Sequence, residues 1–166
     1  MALTHRLVET LRLPGWYNGR PSYTPEENAA VTKSLNAFQA TADDVMGGGA
    51  HFHPDVVGEI QRPLIANALE DLARTEWNAS DKTPENWKDI CSTYLKAWTC
   101  QLNPSAMSEV AELLAEVGYR SEAREAWDVV CLFQWYSHHY FAGAENAQAA
   151  TRMIVERAER GMKELS

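Results

Sequence analysis

Residues 24–45 read TPEENAAVTKSLNAFQATADDV, and this stretch decides the fold class. Thr24 can cap a helix, Pro25 suits its first turn, and Glu27 is the acid three positions after the cap. Val31, Leu35, Phe38, Ala42 and Val45 then fall on one stripe at helical spacing. The same grammar recurs further along. Thr83-Pro84-Glu85 repeats the start signal, and Trp87, Ile90, Cys91, Tyr94 and Trp98 follow at i, i+3, i+4, i+7. Between these two stretches a helical segment starts near Asp55 and runs toward Trp77. Pro63 should kink or restart it, since proline removes a donor and disfavours helix at the residue before it.

The remainder is also helical in pattern. Thr4 can cap a short first helix that stops before Pro14 and Gly15. After Asn103-Pro104-Ser105, Val110, Leu113, Leu114 and Val117 line a helix that ends at Gly118. Ser121 can cap the next, which carries Ala123, Trp127, Val130, Gln134 and His138 on one face. A last helix after Gly143 runs to about Leu165 with Ala147, Ala150, Ile154 and Ala158 inward. Its other face, from Arg152 to Lys163, is charged. Two segments stand apart from this pattern. Residues 14–23 form a connector that two prolines and two glycines keep irregular, and its aromatics suggest that it is pinned against something. Residues 46–54 form a Gly-rich loop containing Gly47, Gly48 and Gly49. No alternating strand pattern is present. The expected class is all-α: six or seven helices packed as antiparallel hairpins, in one domain spanning 1–166.

Composition bounds the partners. Among 166 residues, Asp and Glu outnumber Lys and Arg 23 to 15, a net charge of -8. Nucleic acids and anionic membranes are met by clustered basic residues, so neither is expected as a partner. No apolar run approaches a membrane span or the core of a signal peptide. Cys91, Cys100 and Cys131 are odd in number and too scattered for a CxxC motif, which reads as reduced thiols in the cytoplasm.

Residues 104–130 resemble a single tetratricopeptide unit, a helical hairpin of about 34 residues. Ala111 stands at the small position of the first helix and Leu114 three residues on. Gly118 falls in the turn, and Ala123, Trp127 and Val130 match the small, large and apolar series of the second helix. Met107 departs from the pattern where a tryptophan is usual, as does Trp135 where a proline closes the unit. The resemblance implies protein or peptide binding.

The chemistry-bearing residues allow two readings. In the first, exposed aromatics make a contact surface at the connector (Trp16, Tyr17, Tyr23) and late in the sixth helix (Trp135, Tyr136, Tyr140), because Trp and Tyr anchor interfaces. An aromatic core is the plain alternative. This reading expects a non-catalytic interaction domain or small accessory subunit, docked on a protein partner or on itself, with no cofactor. In the second, His51 and His53 reach a divalent transition metal from the Gly-rich loop, with Asp44 or Asp55 as oxygen ligands. His138 could close the set, which would make a small metal-dependent enzyme or ligand-binding protein. The plain alternative is that His53 only precedes a helix start at Pro54 and that His138 packs among aromatics. The glycines lack the Gly-Lys-Ser/Thr ending of a phosphate loop.

Overall fold

The computed structural model describes residues 2–48, 54–79, 86–140 and 145–166. Side chains are described within these ranges except at 2–3, 54–55, 134–140 and 145–148. The class is all-α. In chain order the elements are α1 (Ala2–Leu11), a two-residue hairpin β1 (Trp16–Tyr17) and β2 (Arg20–Pro21), α2 (Pro25–Met46), α3 (Pro54–Ala79), α4 (Trp87–Cys100), α5 (Pro104–Glu116), α6 (Arg120–Tyr140) and α7 (Glu145–Glu164). The chain divides into two compact units, one of Met1–Leu11 with Leu102–Ser166, the other of Arg12–Gln101.

In the second unit, α2 starts as its sequence dictates. The Glu27 amide donates to Thr24 Oγ1 and the Thr24 amide donates to Glu27 Oε1, a complete capping box. Gly47 closes the helix at φ 81°, a left-handed conformation that suits glycine. The stripe of α2 is half-buried, and Val45 departs from it at 80% exposure. Helix α3 continues across Pro63 instead of restarting. It packs against both α2 and α4, and that packing holds the helix across one missing hydrogen bond. Helix α4 is the core element. Trp87, Ile90, Cys91, Tyr94 and Trp98 are buried as expected, and so are Ser92, Thr93, Leu95, Lys96 and Ala97. Residues 80–85 are not described, so the start signal at Thr83 lies outside the described residues. The described helix begins after Asn86, which makes no side-chain cap.

The connector is regular where irregularity was expected. Trp16 pairs with Pro21 and Tyr17 with Arg20 around Asn18 (φ 48°) and Gly19 (φ 74°). An Asn-Gly pair with both residues at positive φ is the tight turn that matches strand twist. The Ser22 amide donates to Gly15 O at 2.7 Å and extends the closure.

In the first unit, α5 is capped by Asn103, whose side chain accepts from the Ser105 amide. It ends with Gly118 at φ 95°, the Gly118 amide donating to Ala115 O and the Tyr119 amide to Leu114 O. This double closure reverses the chain into α6. Ala111, Leu114, Ala123, Trp127 and Val130 are all buried. Helix α6 begins at Arg120, so Ser121 lies inside it, and Thr4 is likewise a buried residue within α1. On α7, Thr151 and Ala158 are buried while Ala150 is exposed, and Leu165, just past the helix end, is buried as well. Gly161 lies where any Cβ would overlap the Trp127 indole. Among the described residues no helix is long and apolar enough to cross a membrane.

Candidate functional site

The hairpin and α4 together build the site. Trp16 is half-buried, and its indole N–H donates to Ser92 Oγ at 2.9 Å. Ser92 in turn donates to Pro14 O at 2.6 Å. The Tyr23 hydroxyl lies 3.6 Å from Cys100 Sγ. One face of the connector is thus tied to α4 at both ends, and Tyr17 stands out on the other face at 78% exposure.

Beneath the hairpin lies a buried ion pair. Lys96 Nζ donates to Glu27 Oε1 at 2.8 Å, and the two residues are 1% and 2% exposed. Gly15 makes room for the ammonium: a Cβ there would sit 2.6 Å from Nζ and 3.1 Å from Ser22 O. Its φ of 78° disfavours a side chain independently. Glu27 Oε1 therefore receives two donors, the Thr24 amide and Lys96, while Glu27 Oε2 is buried with no hydrogen-bond partner.

The pair borders a cavity of about 250 Å³. Pro14, Gly15 and Leu72 give it apolar wall, and Thr24, Ser92 and Thr93 give it hydroxyls. Glu26, Glu27, Glu76 and Asp89 set four carboxylates against the single ammonium of Lys96, a formal excess of three negative charges. Burial pushes the Glu76 carboxyl above its ordinary 4.5, and the neighbouring charges of Glu27, Asp89 and Glu26 push it further.

The sign of the Glu76 effect can be measured. A carboxyl raised on folding favours the protonated folded state, so its contribution is most favourable below 4.5 and is lost as pH rises through the folded value. Glu76→Gln is therefore expected to melt higher than the parent near pH 7 and level with it near pH 4, read by thermal unfolding at both. Equal midpoints near pH 7 would show that the carboxylates do not crowd one another.

Two of the thiols sit where the thiolate is disfavoured. Burial pushes Cys91 up to about 12, and burial with Asp128 and Glu159 raises Cys131. Neither is an activated nucleophile. The Tyr23 hydroxyl is also raised, by burial first and then by Cys100.

Of the residues singled out in the sequence, Trp16, Tyr17 and Tyr23 come together at the hairpin. Trp135, Tyr136, Tyr140 and His138 lie on α6 with their side chains outside the described set, and His51 and His53 lie outside the described residues altogether. Among the described residues no three His, Cys, Asp or Glu side chains gather as a metal site. Sequence reading missed Gly15, Ser92 and Lys96, and saw Glu27 only as a capping acid. The signal for the hairpin was Asn18-Gly19, the strongest short-range hairpin dipeptide. No known protein family, curated protein or solved structure matches the chain.

Proposed function

We propose that this chain is a non-catalytic interaction module, a small cytoplasmic accessory subunit that docks on a protein partner or on a second copy. The observation that carries the reading is Tyr17, largely exposed on a hairpin that is tied down from beneath. An aromatic held in place loses little freedom on binding, which is where exposed side chains usually forfeit affinity. Tyr23, part-exposed where it meets Cys100 on the tied face, borders the proposed contact, and Trp135, Tyr136 and Tyr140 form the second patch of the proposal by their sequence. No resident cofactor belongs to this reading.

Tyr17→Ala tests it. The fold should survive within about 0.5 kcal/mol, as at an ordinary exposed site. Association should weaken by about 2 kcal/mol, roughly 30-fold. Sedimentation of the pure protein covers self-association, and quantitative capture from the native lysate covers a partner. A monomer that retains no partner, or capture unaltered by Tyr17→Ala, contradicts the proposal. Stoichiometric transition metal in untagged protein, lost in His51→Ala, would move the function to His51 and His53.

A further inference from the structure

We propose that the α2–α3 helical pair docks on the same pair of a second copy, the two forming an antiparallel four-helix bundle about a two-fold axis at Phe38. The starting point is a long helix with almost nothing buried. Of the 22 residues of α2 only Glu27 is buried, whereas ten of the 14 in α4 are. Helix α3 shows the same imbalance, since among its described side chains the buried ones begin at Ala66. Before that point Val57, Ile60 and Leu64 are half-buried, as are Val31, Leu35, Phe38 and Ala42 on α2. Val45 and Met46 carry the α2 stripe on into solvent, at 80% and 59% exposure. A groove of about 70 Å³ lies between Leu35, Phe38 and Gln39 on one helix and Val57, Ile60 and Gln61 on the other. A helix of a folded domain ordinarily buries its apolar stripe, and two helices alone leave each other's stripe half covered.

The order of residues along the stripe points to a second copy as the occupant. Positions 31, 35, 38, 42 and 45 alternate by four and three, the spacing of a seam that packs helix on helix. That spacing is nearly symmetric about Phe38. An antiparallel two-fold there sets Val31 against Val45 of the second copy, and bulky Leu35 against small Ala42. Val45 thereby gains the cover that it lacks. Charge agrees with this pairing. The chain carries a net charge of -8, so two copies repel wherever their acids meet. The groove has no charged member, and the positions beside the stripe are Thr32, Ser34, Gln39 and Thr41. Of the α2 acids beyond the first turn, Asp43 accepts from Gln39 Nε2 at 2.9 Å and Asp44 lies off the stripe. The area is sufficient as well. A helix of 22 residues is about 33 Å long, and two packed helices are about 20 Å wide. One face offers about 600 Å² and two copies about 1,200 Å², the size at which specific interfaces begin. The surface is separate from Tyr17 and does not depend on it.

The test is sedimentation velocity of the full chain from about 1 to 100 µM near neutral pH, with circular dichroism as the check on folding. A concentration-dependent dimer is expected, and Tyr17→Ala should leave it intact. Gln39→Glu with Gln61→Glu sets acids beside the seam at two exposed positions without removing an apolar contact. It should weaken the dimer about tenfold or more at unchanged helicity. Gln39→Lys with Gln61→Lys should do the same. An equimolar mixture of the two double variants should associate more tightly than either alone, as a face that pairs with itself requires. A parent that stays monomeric throughout, a dimer unaltered in both double variants, or a mixture no tighter than its components overturns the proposal. A dimer lost in Tyr17→Ala but kept in the double variants also overturns it, while sustaining the reading that rests on Tyr17.

Discussion

Replacing Lys96 by Met is expected to lower the unfolding free energy by about 3–5 kcal/mol, a large share of the stability of a small domain. The methionine side chain is close in length, so the loss comes from charge and not from a cavity. Lys96 and Glu27 are both almost wholly buried, and their contact at 2.8 Å spans 69 residues of sequence. Removing the ammonium leaves a carboxylate in the interior with only the Thr24 amide at Oε1. The double variant Glu27→Gln with Lys96→Met should recover most of the loss, because neither residue then carries an uncompensated charge. Urea unfolding of the parent, both single variants and the double variant gives the coupling directly. Additive single effects would mean that the two side chains do not meet.

Gly161→Ala is the second large effect, and its sign is the informative part. In a helix interior, exchanging glycine for alanine ordinarily stabilises by about 1 kcal/mol. Gly161 is inside α7, yet an added Cβ would overlap the indole of Trp127, a fully buried ring on α6. Neither the ring nor the helix backbone can yield without displacing packed neighbours. A net loss of about 3 kcal/mol is expected, the scale of overpacking in a dense core. Trp127→Leu combined with Gly161→Ala should relieve part of it by removing the second ring. Thermal unfolding settles the sign. A stabilised Gly161→Ala would place the indole elsewhere.

These two sites also mark where the sequence was legible and where it was not. Helix α2 was readable because its cap, its first-turn proline and its stripe are all local signals. The end of α5 was readable because Gly118 supplies a positive φ where the chain must turn back. Pairings across long sequence separation carry no such signal. Glu27 reads completely as a capping acid, and nothing within four residues of it points to Lys96. Lys96 did leave one trace. With Trp87, Ile90, Cys91, Tyr94, Leu95, Ala97 and Trp98 around it, α4 has almost no face left for solvent, and a lysine there needs a buried partner. The stripe argument followed i, i+3, i+4 and passed over that residue. Gly161 was hidden for a similar reason, since its role depends on a ring 34 positions earlier. Pro63 shows the opposite failure, a strong local signal outweighed by packing on both sides of α3. The connector's aromatics did indicate pinning, and Trp16 and Tyr23 are the residues that pin it.

The central claim is that the hairpin is held on α4 over a buried Glu27–Lys96 pair, giving a fixed outer face and a charged cavity beneath. Its most direct test is a carbon-edited nuclear Overhauser spectrum of the labelled protein, read between the Gly15 Hα protons and the Lys96 Hε protons. The Lys96 Cε lies 3.2 Å from where a Gly15 Cβ would be, so these protons are close neighbours. Strong cross-peaks, with Lys96 Hε shifts displaced from those of a solvated lysine, are the expected result. A Lys96 side chain with solvated-lysine shifts and no contact to Gly15 would contradict the account.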